Sequence, residues 1–531
     1  MKLLVYFIGL IHLIESAKIL VVVPLFGGSH INFLKNIVNI LDARGHDMTV
    51  LLSPLDPSLD NFYKSKQAKI IRAKPMKGMD EVFKDGLGPF ETAMWSNNIG
   101  DPIAFYFIRR FFGMIWPTHC EGMINNDQLT AQIKAEKFDL AIAEAFDSCH
   151  FGMYKLWGIE RHVIANSGFL FSPHYDALGI KFPLTNVPEI YANYGHDGVM
   201  GFRERFLNIY YSFMVDGFIG RPLRLEQELF DEKFGKGFVD LKKTISECVY
   251  FIINSLPLLD FAHPTLNKVI PIGGFSMPPN KGLTLEWDTI MGLRPKNIFI
   301  SFGSVASSSK MPESYKKNII NVIKSFPSVT FIWKYEIEND GIADGVDNLV
   351  IGKWLPQTDI LADTRISGFI THGGTNSITE AAISGVPILS IGLFGDQEHN
   401  TAIVTAAGYG RSFSKLNLGN FEILRLAIKE VFIEEKYHAG AKDIQKRIKD
   451  SPFNSTDVFI KHVEFAAKYG PQKMLNLLGR DQNYIERNNL DIYGLFIIIT
   501  FAFIYLCKIL ITKICCGGKT ITKKNTSKKM Q

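Results

Sequence analysis

Cysteine is scarce in this 531-residue chain. Six residues are too few to knit a fold of this size by disulfides. An excess of one charge is also missing: 58 Lys and Arg stand against 53 Asp and Glu, and a net of +5 over such a length excludes an electrostatic nucleic-acid binder. The composition, 47% hydrophobic and 21% charged, has neither the polar bias of a disordered chain nor the glycine period of a collagen-like one. Mean hydropathy is only +0.07, which rules out a polytopic membrane protein and leaves room for one or two apolar segments. At about 150 residues per domain the length implies two to four domains. No Gly-x-Gly-x-x-Gly follows the first strand-like run, which argues against a dinucleotide-dependent oxidoreductase.

Both ends carry targeting signals. Residues 3–14 are apolar behind Lys2 and are followed by Glu15-Ser16-Ala17, the pattern of a cleavable signal peptide over residues 1–17. Residues 492–512 form a second apolar run broken only by Lys508, and at about 1.5 Å per residue it spans a bilayer core. The tail 513–531 has six lysines and no acid, so the positive-inside rule keeps it cytosolic and makes the chain a single-pass type I membrane protein. Lys528 and Lys529, third and fourth from the last residue, match a dilysine retrieval signal for the endoplasmic reticulum. Asn454-Ser455-Thr456 is a glycosylation acceptor on the far side. Cys120, Cys149 and Cys248 lie there too, and three cysteines cannot all pair with one another.

Between the anchors two αβ series follow one another. The run 18–23 is a buried strand, residues 31–43 place Ile31, Leu34, Ile37, Val38 and Leu41 on one helical face, and 48–52 is the next strand. Further strand-like runs are 138–143 and 249–253. The aromatic-rich stretch 90–225 supplies core helices, walls of an apolar pocket, or both. A second series has strands at 298–302, 329–333, 366–371 and 387–391, after a proline-rich linker at 271–296. This alternation predicts two doubly wound α/β domains with a cleft at the carboxyl ends of their strands. The expected limits are 18–280, 281–450, membrane-proximal helices over 451–491, the span 492–512 and the tail.

Residues 366–400 carry the chemistry. A strand ends at Thr371, His372-Gly373-Gly374 follows, and a helix begins near Asn376. Glycines permit close backbone approach, and the helix start offers unpaired N–H groups at the positive end of a dipole, a site for a diphosphate. Asn376 and Ser377 add side-chain donors. Ser377 and Glu380 also read as a helix capping box.

The same segment resembles the signature of the UDP-glycosyltransferase family, most closely its membrane-bound UDP-glucuronosyltransferase branch. The elements that match are Phe369 to Gly374, Ser377, Glu380, Pro387 and Leu393-Phe394-Gly395-Asp396-Gln397, with Gly392 where the family usually has proline. Trp354-Leu355-Pro356-Gln357 is similar to the family's uracil-binding motif and Ser301-Phe302-Gly303-Ser304 to its phosphate loop. The resemblance implies two Rossmann-like domains facing across a cleft, the GT-B fold, plus one C-terminal transmembrane helix. It implies that Trp354 stacks on the base and Gln357 bonds to the nucleoside. Ser304, His372, Gly374, Asn376 and Ser377 would hold the phosphates, Glu380 the ribose, and Asp396 with Gln397 the donor sugar.

Gly28-Ser29-His30 resembles the family's catalytic-histidine loop, which makes His30 the expected general base. Its acidic partner is expected just after strand 138–143, where Glu144 stands in place of the usual aspartate, with Asp147 in reserve. The implied reaction is inverting transfer of a hexose or hexuronate from a UDP-sugar to the hydroxyl or carboxyl of a small lipophilic acceptor. The UDP-sugar is a co-substrate; no cofactor and, lacking an Asp-x-Asp beside the phosphate motif, no obligatory metal are expected. The sequence leaves open the choice of glucuronate or glucose and a homo-oligomer, and it keeps a non-catalytic UDP-sugar or lipophile-binding protein as the alternative.

Overall fold

The computed structural model describes residues 16–516 apart from 66, 77, 84–87, 99, 195–198, 276, 278 and 279. Most of the expected signal peptide and the tail with Lys528 and Lys529 therefore lie outside the described residues. The chain divides into a body up to Asn476 and a second unit from Leu477 onward.

The body is built on two parallel sheets. The first contains β1 (Lys18–Leu25), β2 (Asp47–Pro54), β3 (Lys69–Arg72), β4 (Leu140–Ala143), β5 (His162–Asn166), β6 (Phe251–Ile253) and β7 (Val269–Pro271), in the order β3-β2-β1-β4-β5-β6-β7. β1 pairs along its whole length with β2, from Lys18 opposite Asp47 to Leu25 opposite Pro54, and on its other edge with β4. Its continuous apolar sequence suits a strand covered on both faces. The second sheet contains β8 (Lys296–Ser301), β9 (Val329–Lys334), β10 (Leu349–Gly352), β11 (Ile366–Thr371), β12 (Ile388–Ser390) and β13 (Gly410–Ser412), in the order β10-β9-β8-β11-β12-β13. Strand order reverses between β1 and β4 and again between β8 and β11. At such a point neighbouring loops leave in opposite directions and open a crevice at the carboxyl ends. These four loops carry His30, Glu144, Ser304 and His372.

The helices that matter for the site are α1 (Gly28–Ala43), α2 (Gly88–Ser96), α3 (Pro102–Ile124), α4 (Cys149–Trp157), α5 (Phe202–Val215), α6 (Gln357–Ala362), α7 (Thr375–Ser384) and α8 (Ser455–Tyr469). α1 buries the five apolar residues of its expected face and starts three residues earlier than the periodicity implies. The stretch 271–296, read as a linker, contains a short helix at Leu285–Met291. A disulfide joins Cys120 of α3 to Cys149 of α4, and Cys248 is buried outside it.

Two helices cross between the halves. Met94 and Trp95 of α2 are buried in the core of the second sheet, where the Trp95 ring lies 5.0 Å from Phe302 and its Nε1 donates to the Ser307 carbonyl at 3.2 Å. Conversely, Phe459, Val463 and Ala466 of α8 share a core with Ile19, Val21 and Val249 of the first half. In the second unit, α9 (Leu490–Cys516) contains an 18-residue stretch of mean hydropathy 2.5 and is long and apolar enough to cross a membrane.

Candidate active site

The first wall of the cleft begins where β1 ends. Gly27 turns the chain at a φ of 74°, and a Cβ there would stand 3.1 Å from the His30 ring, so the turn requires glycine. α1 starts at the next residue and places His30 in its first turn. Glu144 follows directly on β4 and is 1% exposed. Its two oxygens lie 2.9 and 3.0 Å from His30 Nδ1. Ser167, just past β5, holds both partners: its Oγ is 2.9 Å from the same nitrogen, and its N–H donates to Glu144 Oε1 at 3.0 Å. An ionised carboxylate only accepts, so Nδ1 carries the hydrogen and Nε2 keeps the lone pair. Burial works against the imidazolium, yet the Glu144 charge and hydrogen bond outweigh it and raise His30 above the ordinary histidine value. Glu144 is correspondingly lowered: burial opposes its charge, and His30 and Ser167 prevail.

Asp147 turns elsewhere. Its Oδ2 lies 3.2 Å from His119 Nδ1 and 3.8 Å from His150 Nδ1, and its Oδ1 accepts from the Cys149 N–H at 3.0 Å. Burial disfavours its charge, but the two histidines hold its carboxyl far below the ordinary range. The reserve partner of the sequence reading thus sits in a separate buried cluster beside the disulfide, and the pairing with His30 is made by Glu144.

The second wall belongs to the other sheet. α7 is capped by Gly374 without a side-chain cap, so its first N–H groups open onto the cleft. Ser377 lies inside the helix and does not cap it. Glu380 instead accepts from Gln357 Nε2 at 2.7 Å, and burial pushes its carboxyl up to about 7 against that hydrogen bond. His372 packs between glycines: a Cβ at Gly303 would come within 2.7 Å of its ring and one at Gly374 within 2.6 Å. Burial, aided by the Lys334 charge and opposed by a hydrogen bond to the Ser301 backbone, lowers His372 to about 4, so it is neutral at physiological pH. Trp354, between β10 and α6, is 74% exposed and lines the cleft. Asp396 Oδ2 accepts from Thr375 Oγ1 and from Asn400 Nδ2, both at 2.9 Å. Gln397 Oε1 accepts the N–H groups of Leu393 and Phe394, which leaves its amide nitrogen as the group to offer a ligand.

Trp354, Gln357, His372, Gly374, Ser377, Glu380, Asp396 and Gln397, with His30, line one cleft of about 1430 Å³, and Ser304 faces Gly28 across it. The cleft is aromatic beside His30: Phe26, Phe107, Phe111, Phe112, Phe146 and Phe218 line it, and the Phe146 ring meets His30 edge-on at 5.2 Å. Core and pocket thus draw on the same stretch, since Phe112 and Trp116 are also buried against Ile115. Asn454 lies outside the cleft, exposed at the start of α8, where its Oδ1 accepts from Thr456 and Asp457 N–H. Sequence reasoning missed Ser167, Lys334, Thr375 and Asn400. Lys334 was findable, because it ends a buried strand at the side where ligands bind; its Nζ donates to the Gly303 carbonyl at 2.8 Å.

Two facing Rossmann-like halves with this cleft define a glycosyltransferase of the GT-B fold. The chain belongs to the UDP-glucoronosyl and UDP-glucosyl transferase family, which matches residues 17–526. It is 31% identical over 400 residues to the UDP-glucuronosyltransferase ugt-56 of Caenorhabditis elegans, covering 74% of each chain. To human UDP-glucuronosyltransferase 1A8 it is 25% identical over 528 residues, 96% of this chain and 94% of that one. Among solved structures, the glycotransferase of kitacinnamycin superposes with a TM-score of 0.57 at 16% identity, over 85% of this chain and 99% of that one. Phytolacca americana UGT2, complexed with UDP-2fluoro-glucose and pterostilbene, gives 0.55 at 15% identity with the same coverage. At such identities the likeness is one of fold. The chain is an enzyme that transfers sugar from a UDP-sugar co-substrate.

Proposed function

We propose that the enzyme moves a hexose or hexuronate from UDP to a hydroxyl or carboxyl of a small lipophilic acceptor, with inversion at the anomeric carbon. The observation that carries this reading is the His30–Glu144–Ser167 arrangement, which leaves Nε2 basic in a cleft whose other wall suits a nucleoside diphosphate. His30 takes the acceptor proton as its oxygen attacks from the side opposite UDP, and Glu144 stabilises the imidazolium that forms. Trp354 stacks on the base, Gln357 and Glu380 bind the nucleoside, and Asp396 with Gln397 orient the sugar. Ser304, Gly374, Asn376, Ser377 and the first N–H groups of α7 hold the diphosphate and meet the charge that develops as UDP leaves. A neutral His372 contributes shape there and not charge. The reaction is written without a metal.

The acceptor side comprises residues 18–280 and the donor side 281–450, with α2 and α8 crossing over. The aromatic end of the cleft supports an apolar acceptor, and the related Phytolacca enzyme holds UDP-2fluoro-glucose together with pterostilbene. The Cys120–Cys149 disulfide and the exposed Asn454 acceptor support a body in the lumen of the endoplasmic reticulum, anchored by α9. The test is a donor competition assay with membranes containing the full chain, one phenolic acceptor, and UDP-glucose against UDP-glucuronate, the product anomer being read by NMR. A β-glycoside is expected. An α-glycoside, or hydrolysis of both donors without transfer, overturns the reading.

A further inference from the structure

We propose that the face made by α3 and α5 rests on a phospholipid bilayer and admits acceptors to the cleft from the lipid side. On α5, Phe202, Phe206, Ile209 and Phe213 follow one another at spacings of four, three and four, one stripe of a helix. All are exposed, Phe202 at 80% and Phe213 at 72%, while Asn208, Met214 and Val215 on the other side are buried. On α3, Ile103, Tyr106, Phe107 and Met114 are exposed while Phe112, Ile115 and Trp116 are buried. Phe105 of α3 and Tyr210 and Tyr211 of α5 all pack against one buried apolar cluster that includes Met214, Val215 and Ile219, so the two helices are joined through it. Single apolar side chains on a surface need no explanation, but aligned aromatic stripes on adjacent helices mark a contact with something apolar.

Charge selects lipid as the occupant. Arg109 and Arg110 on α3 and Arg203 and Arg205 on α5 are exposed among these residues. Over 102–120 and 202–215 the single carboxylate is Glu204, whose Oε2 accepts the Gly201 N–H at 2.8 Å. An apolar strip bordered by arginines matches acyl chains beneath anionic headgroups. The chain also carries a helix suited to crossing a bilayer. The patch is continuous with the cleft, because Phe107, Arg110 and Met114 both line the cavity and stand exposed at the surface. A compound dissolved in the outer lipid layer would therefore reach the aromatic end of the cleft without crossing water. This route rests on the lipophilic-acceptor reading; the docking face does not.

The experiment uses the full chain in proteoliposomes of phosphatidylcholine with phosphatidylserine, with a photoreactive phenylalanine in place of Phe206. Lipid adducts at that position are expected. Adducts to a second copy of the chain, or quenching by water alone, overturn the docking face. In the same vesicles the triple variant Phe202→Ser, Phe206→Ser, Phe213→Ser is expected to raise KM several-fold for a bilayer-partitioning acceptor, with KM for the UDP-sugar and for a water-soluble acceptor unchanged. Lipid adducts combined with an equal effect on both acceptors would retain the docking face and overturn the entry route.

Discussion

At the scale of single residues the proposed base and its support stand on the first sheet and the proposed donor-binding residues on the second, so each set can be altered separately. In the proposed mechanism His30→Ala deletes the proton acceptor and leaves the proposed UDP-binding residues of the second sheet in place. Turnover is expected to fall by about 10²–10⁴-fold, the usual contribution of a general base, while UDP affinity by calorimetry stays intact. The Glu144 charge sets the pH profile. His30 is raised, so kcat/KM should fall as the pH drops through a value above the ordinary histidine range. Glu144→Gln removes the main group that raises it and leaves burial, which lowers it, opposed only by the weaker Asp396 charge. The acid limb should shift to lower pH while the plateau falls, and an unmoved limb would place the base elsewhere. Trp354→Ala should weaken UDP binding by about 1–3 kcal/mol, the scale of base stacking on an aromatic ring, without changing acceptor preference. The positions of His30, His372 and Glu380 were legible in the sequence because each stands at a fixed offset from a glycine turn or helix start. Ser167 was not, because the strand before it, His162–Asn166, has polar ends that hide its apolar centre.

At the scale of elements the strands found in the sequence are those that sit in apolar runs: β1, β2, β4, β6, β8, β9, β11 and β12. The strands β3, β7, β10 and β13 have only three or four residues each and take their conformation from the neighbour they pair with. Such elements leave little periodic trace. Disulfide pairing was equally hidden, since three cysteines allow three pairings and only the fold brings α3 and the start of α4 together. The bond closes a loop of sequence separation 29, so replacing both Cys120 and Cys149 by Ser should cost about 3–4 kcal/mol by the loop-entropy relation. The measurement is the urea midpoint of the full chain in detergent, oxidised, reduced and doubly substituted. A midpoint insensitive to reduction would show that packing alone joins the helices. The buried Asp147, His119 and His150 beside that bond make its environment polar.

At the scale of the whole molecule, order along the chain and order in space part company. Alternating strands and helices revealed two halves, but no periodicity discloses that α2 is seated in the core of the second sheet or that α8 covers the first. Phe459 is the plainest case. It lies nearly 200 residues beyond β7, yet its ring is fully buried against Phe275 and the first sheet's core. Phe459→Ala should destabilise the protein by about 3–5 kcal/mol. Native-state hydrogen exchange should show the lost protection in β1 and β4; a loss confined to the second sheet would contradict the packing described.

The return of α8 also governs how the protein is made. A ribosome delivers β1 first and Phe459 more than 400 residues later. For that interval the layer around Ile19 and Val21 lacks its cover and remains an adhesive surface for chaperones and other nascent chains. The first half therefore matures only when synthesis is nearly finished. A message cut short just before residue 455 leaves the core of the early half open even though every strand of both sheets has been made.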